Sequence, residues 1–199
     1  MLRIAGRTMR PWPIQRQHPK SSNGRDRDLV EGTAHIRISS ALKAEEGSLI
    51  EFRWYRFGEF GLQELYSMLA LRQEILVVEQ QSPYSDLDFA DQTASHLLAK
   101  KGADFVAYAR CTRPSEETAF ASLGRVVVSK HYRGTGLGKE LVQRSLARLG
   151  EESCDIVIGA QLYLEKFYSH FGFVRDGEPY DDVGVPHLRM RLRPRGALL

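Results

Sequence analysis

Val126-Val127-Val128-Ser129-Lys130-His131-Tyr132-Arg133-Gly134-Thr135-Gly136-Leu137-Gly138-Lys139-Glu140 is the stretch on which the fold turns. Three β-branched residues form an apolar run that reads as a buried strand. A basic turn and three alternate glycines follow, and then Leu141, Val142, Leu146 and Leu149 recur with the spacing of one helix face. Glycines at a strand-to-helix turn let the backbone approach a ligand and turn its N–H groups outward. The helix start adds unpaired donors and the positive end of the dipole. The combination makes a phosphate site. A dinucleotide fingerprint needs G-x-G-x-x-G, and the spacing Gly134-x-Gly136-x-Gly138 does not supply it. A P-loop fails twice, because Arg133 stands at the first glycine position and Glu140 follows Lys139 where a hydroxyl residue belongs. A glycine-rich turn with no ligand is the alternative at this point.

Working outward, Leu49–Tyr55 alternates charge at Glu51 and Arg53 and reads as a strand. Gly61–Val78 places Leu62, Leu65, Leu69 and Leu76 on one expected helix face. Glu79–Thr93 reads as a long polar loop. Ser95–Lys100 and Phe105–Thr112 read as a hairpin about Gly102. The central strand is expected over Leu123–Ser129 and the following helix over Gly138–Leu149, with Gly150 at the C-cap. Beyond it come a strand over Asp155–Ala160, a short helix over Leu162–Phe171, and strands at Phe173–Arg175 and His187–Arg193 around a loop from Pro179 to Pro186. This order predicts an α+β sandwich whose mixed sheet is mostly antiparallel, with one parallel step in the middle and helices on both faces.

Arg133, Gly136 and Gly138 fit R-x-x-G-x-G, which resembles the coenzyme A pyrophosphate loop of GNAT acetyltransferases. A second stretch, Phe167-Tyr168 followed by Phe171-Gly172-Phe173, resembles the F-Y-x-x-x-G-F signature of the same superfamily. Further segments look like the ElaA branch: Val77-Val78-Glu79-Gln80, Pro83-Tyr84, Asp86 and Asp88, Ala107-Tyr108-Ala109-Arg110, Gly124–Val128, Gly159-Ala160-Gln161 and Pro186-His187. The match runs from about Leu49 to Arg193. It departs at Ser82, where many relatives place a cysteine.

The resemblance implies the GNAT fold and an N-acetyltransferase that uses acetyl-CoA as cosubstrate, without a metal. Under it, Val126, Val127 and Val128 would pair with the pantetheine arm, and Arg133, Gly134, Thr135, Gly136, Leu137, Gly138 and Lys139 would cradle the pyrophosphate. Tyr168 would protonate the departing thiolate. Glu79 is the first candidate for the base, with His187 and Asp88 behind it. Tyr84, Asp86 and Asp88 would meet the acceptor, their carboxylates attracting a cationic amine. Blander roles are open for each of these: Tyr168 as a wall, Arg110 and Arg125 as surface ion pairs, His187 as a structural histidine. A coenzyme A-binding sensor without turnover is the rival function.

Composition narrows the rest. The chain of 199 residues suits one domain, expected at 49–195. No apolar run is long enough for a membrane span. Cys111 and Cys154 lack any CxxC spacing, and the six histidines show no metal-ligand spacing, so a reduced, cytoplasmic protein without a metal is expected. Residues 1–50 hold nine Lys/Arg against five Asp/Glu, the remainder nineteen against twenty. The basic charge therefore lies in a segment, 1–48, that lacks hydrophobic periodicity and is expected to be a disordered tail, a targeting segment or the product of a misassigned start. It forms no nucleic-acid-reading motif. The expected partner is a small-molecule or peptide amine, with no nucleic acid and no membrane, and a homodimer is compatible with the sequence.

Overall fold

The structure, a computed structural model, describes residues 49–194. The expectations for residues 1–48 lie outside them. In chain order the elements are β1 (Glu51–Arg56), α1 (Leu62–Arg72), β2 (Ser95–Lys101), β3 (Asp104–Thr112), β4 (Ala121–Val128), α2 (Leu137–Leu149), β5 (Ile156–Gln161), α3 (Glu165–Ser169), β6 (Val174–Arg175), β7 (Tyr180–Asp182) and β8 (Val185–Leu192). The eight strands form one sheet in the order β1-β2-β3-β4-β5-β8-β6, with β7 paired to β8. The β4–β5 pair is parallel and the other pairs are antiparallel. This is the expected α+β sheet with its parallel step.

Because successive strand residues point to opposite faces, β2 and β3 feed two cores. Leu97, Ala99, Ala107 and Ala109 join Leu141, Val142 and Leu149 of α2, while Leu98 and Tyr108 join Met68 and Leu71 of α1 and Ile75 just beyond it. Small alanines on the α2 side let the helix sit close to the sheet. Fully burying one leucine-sized side chain in such a layer contributes about 1.5–3 kcal/mol.

Helix α1 departs from the expected pattern. Leu65, Leu69 and Leu76 pack against the core as expected, half-buried at its margin, but Leu62 stands on the outside at 88% exposure, and the buried line runs through Met68, Leu71, Arg72 and Ile75. An arginine in the apolar face disguised that face in the sequence. The helix also widens into a seven-residue π-helical turn at Gln73–Glu79. Gly150 is the C-cap of α2 as expected, but it is right-handed (φ −64), and the left-handed residue comes after another short turn, at Ser153 (φ 51). One further expectation is corrected. The supposed loop from Pro179 to Pro186 contains β7 and a tight hairpin, with Val183 (φ 52) and Gly184 (φ 80) at its tip, the positive-φ pair of a type I′ turn.

Two irregularities of β4 shape the site. Tyr108 faces Val127 but Arg110 faces Gly124, so β4 carries one extra residue, and Arg125 is left-handed there (φ 51). This is a β-bulge. Leu123 consequently packs in the α2-side core and Val127 in the α1-side core. Second, β4 and β5 are in register only at Ala121–Ile156 and Ser122–Val157. Beyond that point the strands separate, and the edge of β4 that faces β5 has no ladder partner.

Candidate active site

The separated strands open a cleft of about 300 Å³. Its floor consists of small residues, Thr112, Ser122, Gly124 and Gly159. One wall carries Gln80, Ser82, Tyr84 and Arg125, and the other carries Tyr180, Val183 and His187 from the β7–β8 hairpin. Tyr168 of α3 lines it as well. Two bonds tie the walls together: the Gln161 amide donates to Gln80 Oε1 at 2.8 Å, and Ser82 Oγ donates to the Val183 carbonyl at 3.4 Å.

The glycine loop lies at the end of β4. Gly134 (φ 76) and Gly136 (φ 91) are both left-handed, and a Cβ at either would meet nothing within 4 Å, so the backbone there faces open space. The first bond of α2 runs from the Glu140 N–H to the Gly136 carbonyl at 3.1 Å. The N–H groups of Leu137, Gly138 and Lys139 precede it and are left for a ligand. Thr135 Oγ1 donates to the Tyr132 carbonyl at 2.8 Å and fixes the turn. This arrangement suits a pyrophosphate, and the unpaired edge at Val126–Val128 suits an amide-bearing chain. Both features fit coenzyme A.

Arg133 is already engaged. Its Nε donates to the Val128 carbonyl at 3.0 Å, and its two terminal nitrogens reach Glu79 Oε1 and Oε2 at 2.6 and 2.9 Å. The guanidinium hydrogen bonds hold the Glu79 carboxyl below the usual carboxylate range. Glu79, first choice for the base, is therefore a poor proton acceptor, and it does not line the cleft.

The acidic loop also has a different task from the expected one. Arg72 is fully buried and donates to Asp86 at 2.9 Å and to Asp91 at 2.7 Å. Arg110 reaches both oxygens of Asp88 at 2.6 and 2.7 Å and Asp91 at 3.0 Å. Arg125 reaches Asp86 at 2.6 Å and Asp88 at 3.1 Å. Three carboxylates thus face three guanidiniums, and the group is neutral. Asp88 is pulled to about 2, chiefly by its hydrogen bonds from Arg110. Asp86 and Asp88 do not attract a free cation from the cleft wall; they moor the loop to the sheet. Arg110 is buried, not a surface residue as supposed. Of the expected acceptor residues, Tyr84 alone lines the cleft; its hydroxyl donates to Asp86 at 3.1 Å, and burial pushes its pKa up to about 12.

Tyr168 is 6% exposed, and burial raises its pKa, so the phenol is protonated at neutral pH. Its ring packs edge-on against Phe167 and Phe173. His187 sits across the same cleft, its Nδ1 2.8 Å from the Val185 carbonyl and its ring stacked on Tyr180. Gln161 entered the sequence reading only within the ElaA-like segment Gly159-Ala160-Gln161, with no role, and Tyr180 and the Val183 turn did not enter it; the one available signal for the turn was glycine after Val183, which marks the second position of a hairpin tip. Among the described residues no group of three His, Cys, Asp or Glu side chains could hold a metal ion, and no helix is long and apolar enough to cross a membrane.

Residues 67–194 match the family model described as "Acetyltransferase (GNAT) domain". A UPF0039 protein of Synechocystis sp. is 40% identical over 74% of this chain and 99% of its own length. Protein ElaA of Escherichia coli is 36% identical over 71% of this chain and 95% of its own, and its crystal structure superposes with a TM-score of 0.68 over 72% of this chain and 99% of that one. An acyl-CoA N-acyltransferase from Pseudomonas aeruginosa gives a TM-score of 0.69 at 33% identity, again over 72% and 99%. A glycine loop at the mouth of a split sheet, a buried tyrosine in the cleft and these likenesses together lead to one conclusion: the chain belongs to the GNAT acetyltransferase family, with ElaA and UPF0039 proteins as close homologues.

Proposed function

We propose that this acyltransferase moves an acetyl group from acetyl-CoA to the primary amine of a small molecule or peptide in the cytoplasm. The observation that carries the reading is the meeting, in one cleft, of the unpaired β4 edge, the protonated Tyr168 and the imidazole of His187. Acetyl-CoA supplies the activated acyl thioester. The open N–H groups before Glu140 suit its pyrophosphate, and backbone donors on the free edge of β4 suit the thioester oxygen as charge develops there. Tyr168 then donates its hydroxyl proton to the thiolate as the carbon–sulfur bond breaks. The acceptor enters over the small-residue floor between Tyr84 and the β7–β8 hairpin.

Thiol release from acetyl-CoA against a panel of primary amines tests this. Amine-dependent release that falls in Tyr168→Phe while acetyl-CoA still binds supports the reading. Tight acetyl-CoA binding without release on any amine, small or peptidic, would favour a sensor.

A further inference from the structure

His187 has one ring nitrogen committed and the other open. Nδ1 lies 2.8 Å from the carbonyl oxygen of Val185. A carbonyl can only accept, so Nδ1 carries the hydrogen, and in the neutral ring Nε2 carries the lone pair. No donor among the described residues is bonded to Nε2. The ring is held flat by Tyr180, at 5.9 Å between centroids and 30° between planes, and the two residues are cross-strand partners in the β7–β8 hairpin. Tyr180 is in turn seated over β5 where that strand has no side chain: a Cβ at Gly159 would fall 2.9 Å from the Tyr180 hydroxyl oxygen. Gly159, Tyr180 and His187 therefore form a layered stack whose last member lines the same cleft as Tyr168. Glu79 has its oxygens on Arg133 and lies outside this cleft.

We propose that His187 is the general base of the reaction, taking the proton from the acceptor ammonium at Nε2, with Tyr180 and the Val185 carbonyl as positioning groups that hold it in the one tautomer able to do so. The inference rests on the acetyl-transfer reading above. The ammonium gives one proton to Nε2, which makes His187 an imidazolium while Nδ1–H stays on Val185. The freed amine attacks the thioester carbon; a carbon–nitrogen bond forms and the carbon–sulfur bond breaks. Tyr168 protonates the sulfur and regains a proton from the new amide nitrogen, and His187 returns its own to water. One proton is released per turnover. The other titratable or charged groups lining the cleft are Tyr84, Arg110, Arg125, Tyr168, Tyr180 and Asp182. Both arginines are already on carboxylates, so His187 is the group there with a free lone pair on nitrogen.

The test has a kinetic arm and a spectroscopic arm. In the kinetic arm, His187→Gln lowers kcat/KM for the best amine by about 10²–10⁴ and leaves the Kd for acetyl-CoA within twofold. Its rate follows the free-base fraction of the amine, with the enzyme's own acidic limb gone from the pH profile. His187→Ala regains rate with added imidazole. Tyr180→Ala lowers kcat more than it changes KM, and Tyr180→Phe, which keeps the stack, restores most of the loss. In the spectroscopic arm, ring ¹⁵N shifts of His187 in the unmodified full chain report hydrogen on Nδ1 and none on Nε2, whether or not an active amine has been found. A wild type that turns over while His187→Gln is kinetically silent overturns the proposal and leaves the acetyl-transfer reading standing. Hydrogen found on Nε2 overturns it independently of turnover.

Discussion

Residues 126–139, the proposed cofactor loop, lie within one short stretch of chain, whereas the proposed acceptor side gathers Tyr84, Gln161, Tyr180 and His187 across more than a hundred residues. The loop works through its backbone: left-handed glycines, open helix N–H groups and an unpaired strand edge. The acceptor side works through side chains, and its walls are fixed by ion pairs and cross-cleft bonds. The first kind of site is expected to tolerate loss of any one side chain but not a side chain at its left-handed glycines. The second is expected to respond in the opposite way, and the following measurements can break or sharpen that contrast.

The largest effect is expected on the acceptor side, from Arg72→Leu. Removing this fully buried guanidinium leaves Asp86 and Asp91 without it, and breaking a buried pair in this way costs about 3–5 kcal/mol. Urea unfolding should show that loss. A change below about 1 kcal/mol would mean that the carboxylates find water instead, and that the loop is not moored by charge.

On the cofactor side, Gly136→Glu sets a negative charge where phosphate is expected and puts a side chain at φ 91. Acetyl-CoA should bind at least about tenfold more weakly by calorimetry, equivalent to about 1.4 kcal/mol, with a native circular dichroism spectrum. Unchanged affinity would reduce the loop to a turn.

Acid should weaken the acceptor-side scaffold through His96. This residue is fully buried, with Nδ1 2.8 Å from the Tyr108 hydroxyl and Nε2 2.9 Å from the Asp91 carbonyl. The carbonyl accepts from Nε2–H, so the ring is neutral and Nδ1 accepts from tyrosine. Burial lowers its pKa below the ordinary 6.5. The unfolded chain therefore binds a proton first as pH falls, and stability drops from pH 6.5 down through the folded-state value, by at most about 1.4 kcal/mol per pH unit. His96→Gln should flatten the difference in Tm between pH 7.5 and pH 5.5. Asp88 acts in a lower window, from 3.8 down to about 2, where protonation removes its pairs with Arg110 and Arg125.

The smallest effect falls on the contact that joins the two regions. Glu79 and Arg133 are about 40% exposed, so their pair is worth less than about 1 kcal/mol. Glu79→Gln frees Arg133 for phosphate and should tighten acetyl-CoA binding by a few-fold, less so at high salt, with the amine KM unchanged. A raised KM at constant acetyl-CoA Kd would return Glu79 to the acceptor side.

The contrast also explains what was legible in the sequence. The strand, the glycines and helix α2 were readable because their cause is local: β-branched residues, then turn residues, then helical periodicity. The element order carried the mixed sheet with them. Tyr168 and His187 were legible only through family resemblance, since nothing in their spacing says that they share a cleft. The acidic loop was misread because the partners of Asp86, Asp88 and Asp91 stand on three other elements, at Arg72, Arg110 and Arg125, and pairing at that range leaves no periodic trace. The same holds for the inner face of α1, where Arg72 interrupts the apolar stripe, and for β7, whose tip uses valine at a left-handed position that glycine or asparagine would ordinarily mark.

The extra residue in β4 has a consequence for how this chain can change length. Leu123 and Val127 are four apart and would share one face of a regular strand, yet they serve opposite cores. Arg125 thus acts as a half-turn in a ribbon: everything after it is printed on the reverse side. Deleting one residue there would remove the bulge and leave Tyr108 facing Val127 and Arg110 facing Gly124 in an unbroken pair, so Val127 would keep its place on the α1 side, and what would vanish is the left-handed step that carries Arg125 out to Asp86 and Asp88. Length changes in the lineage should accordingly be absent from Gly124–Val126, where the step anchors the acidic loop, and accumulate in the Pro114–Thr118 turn.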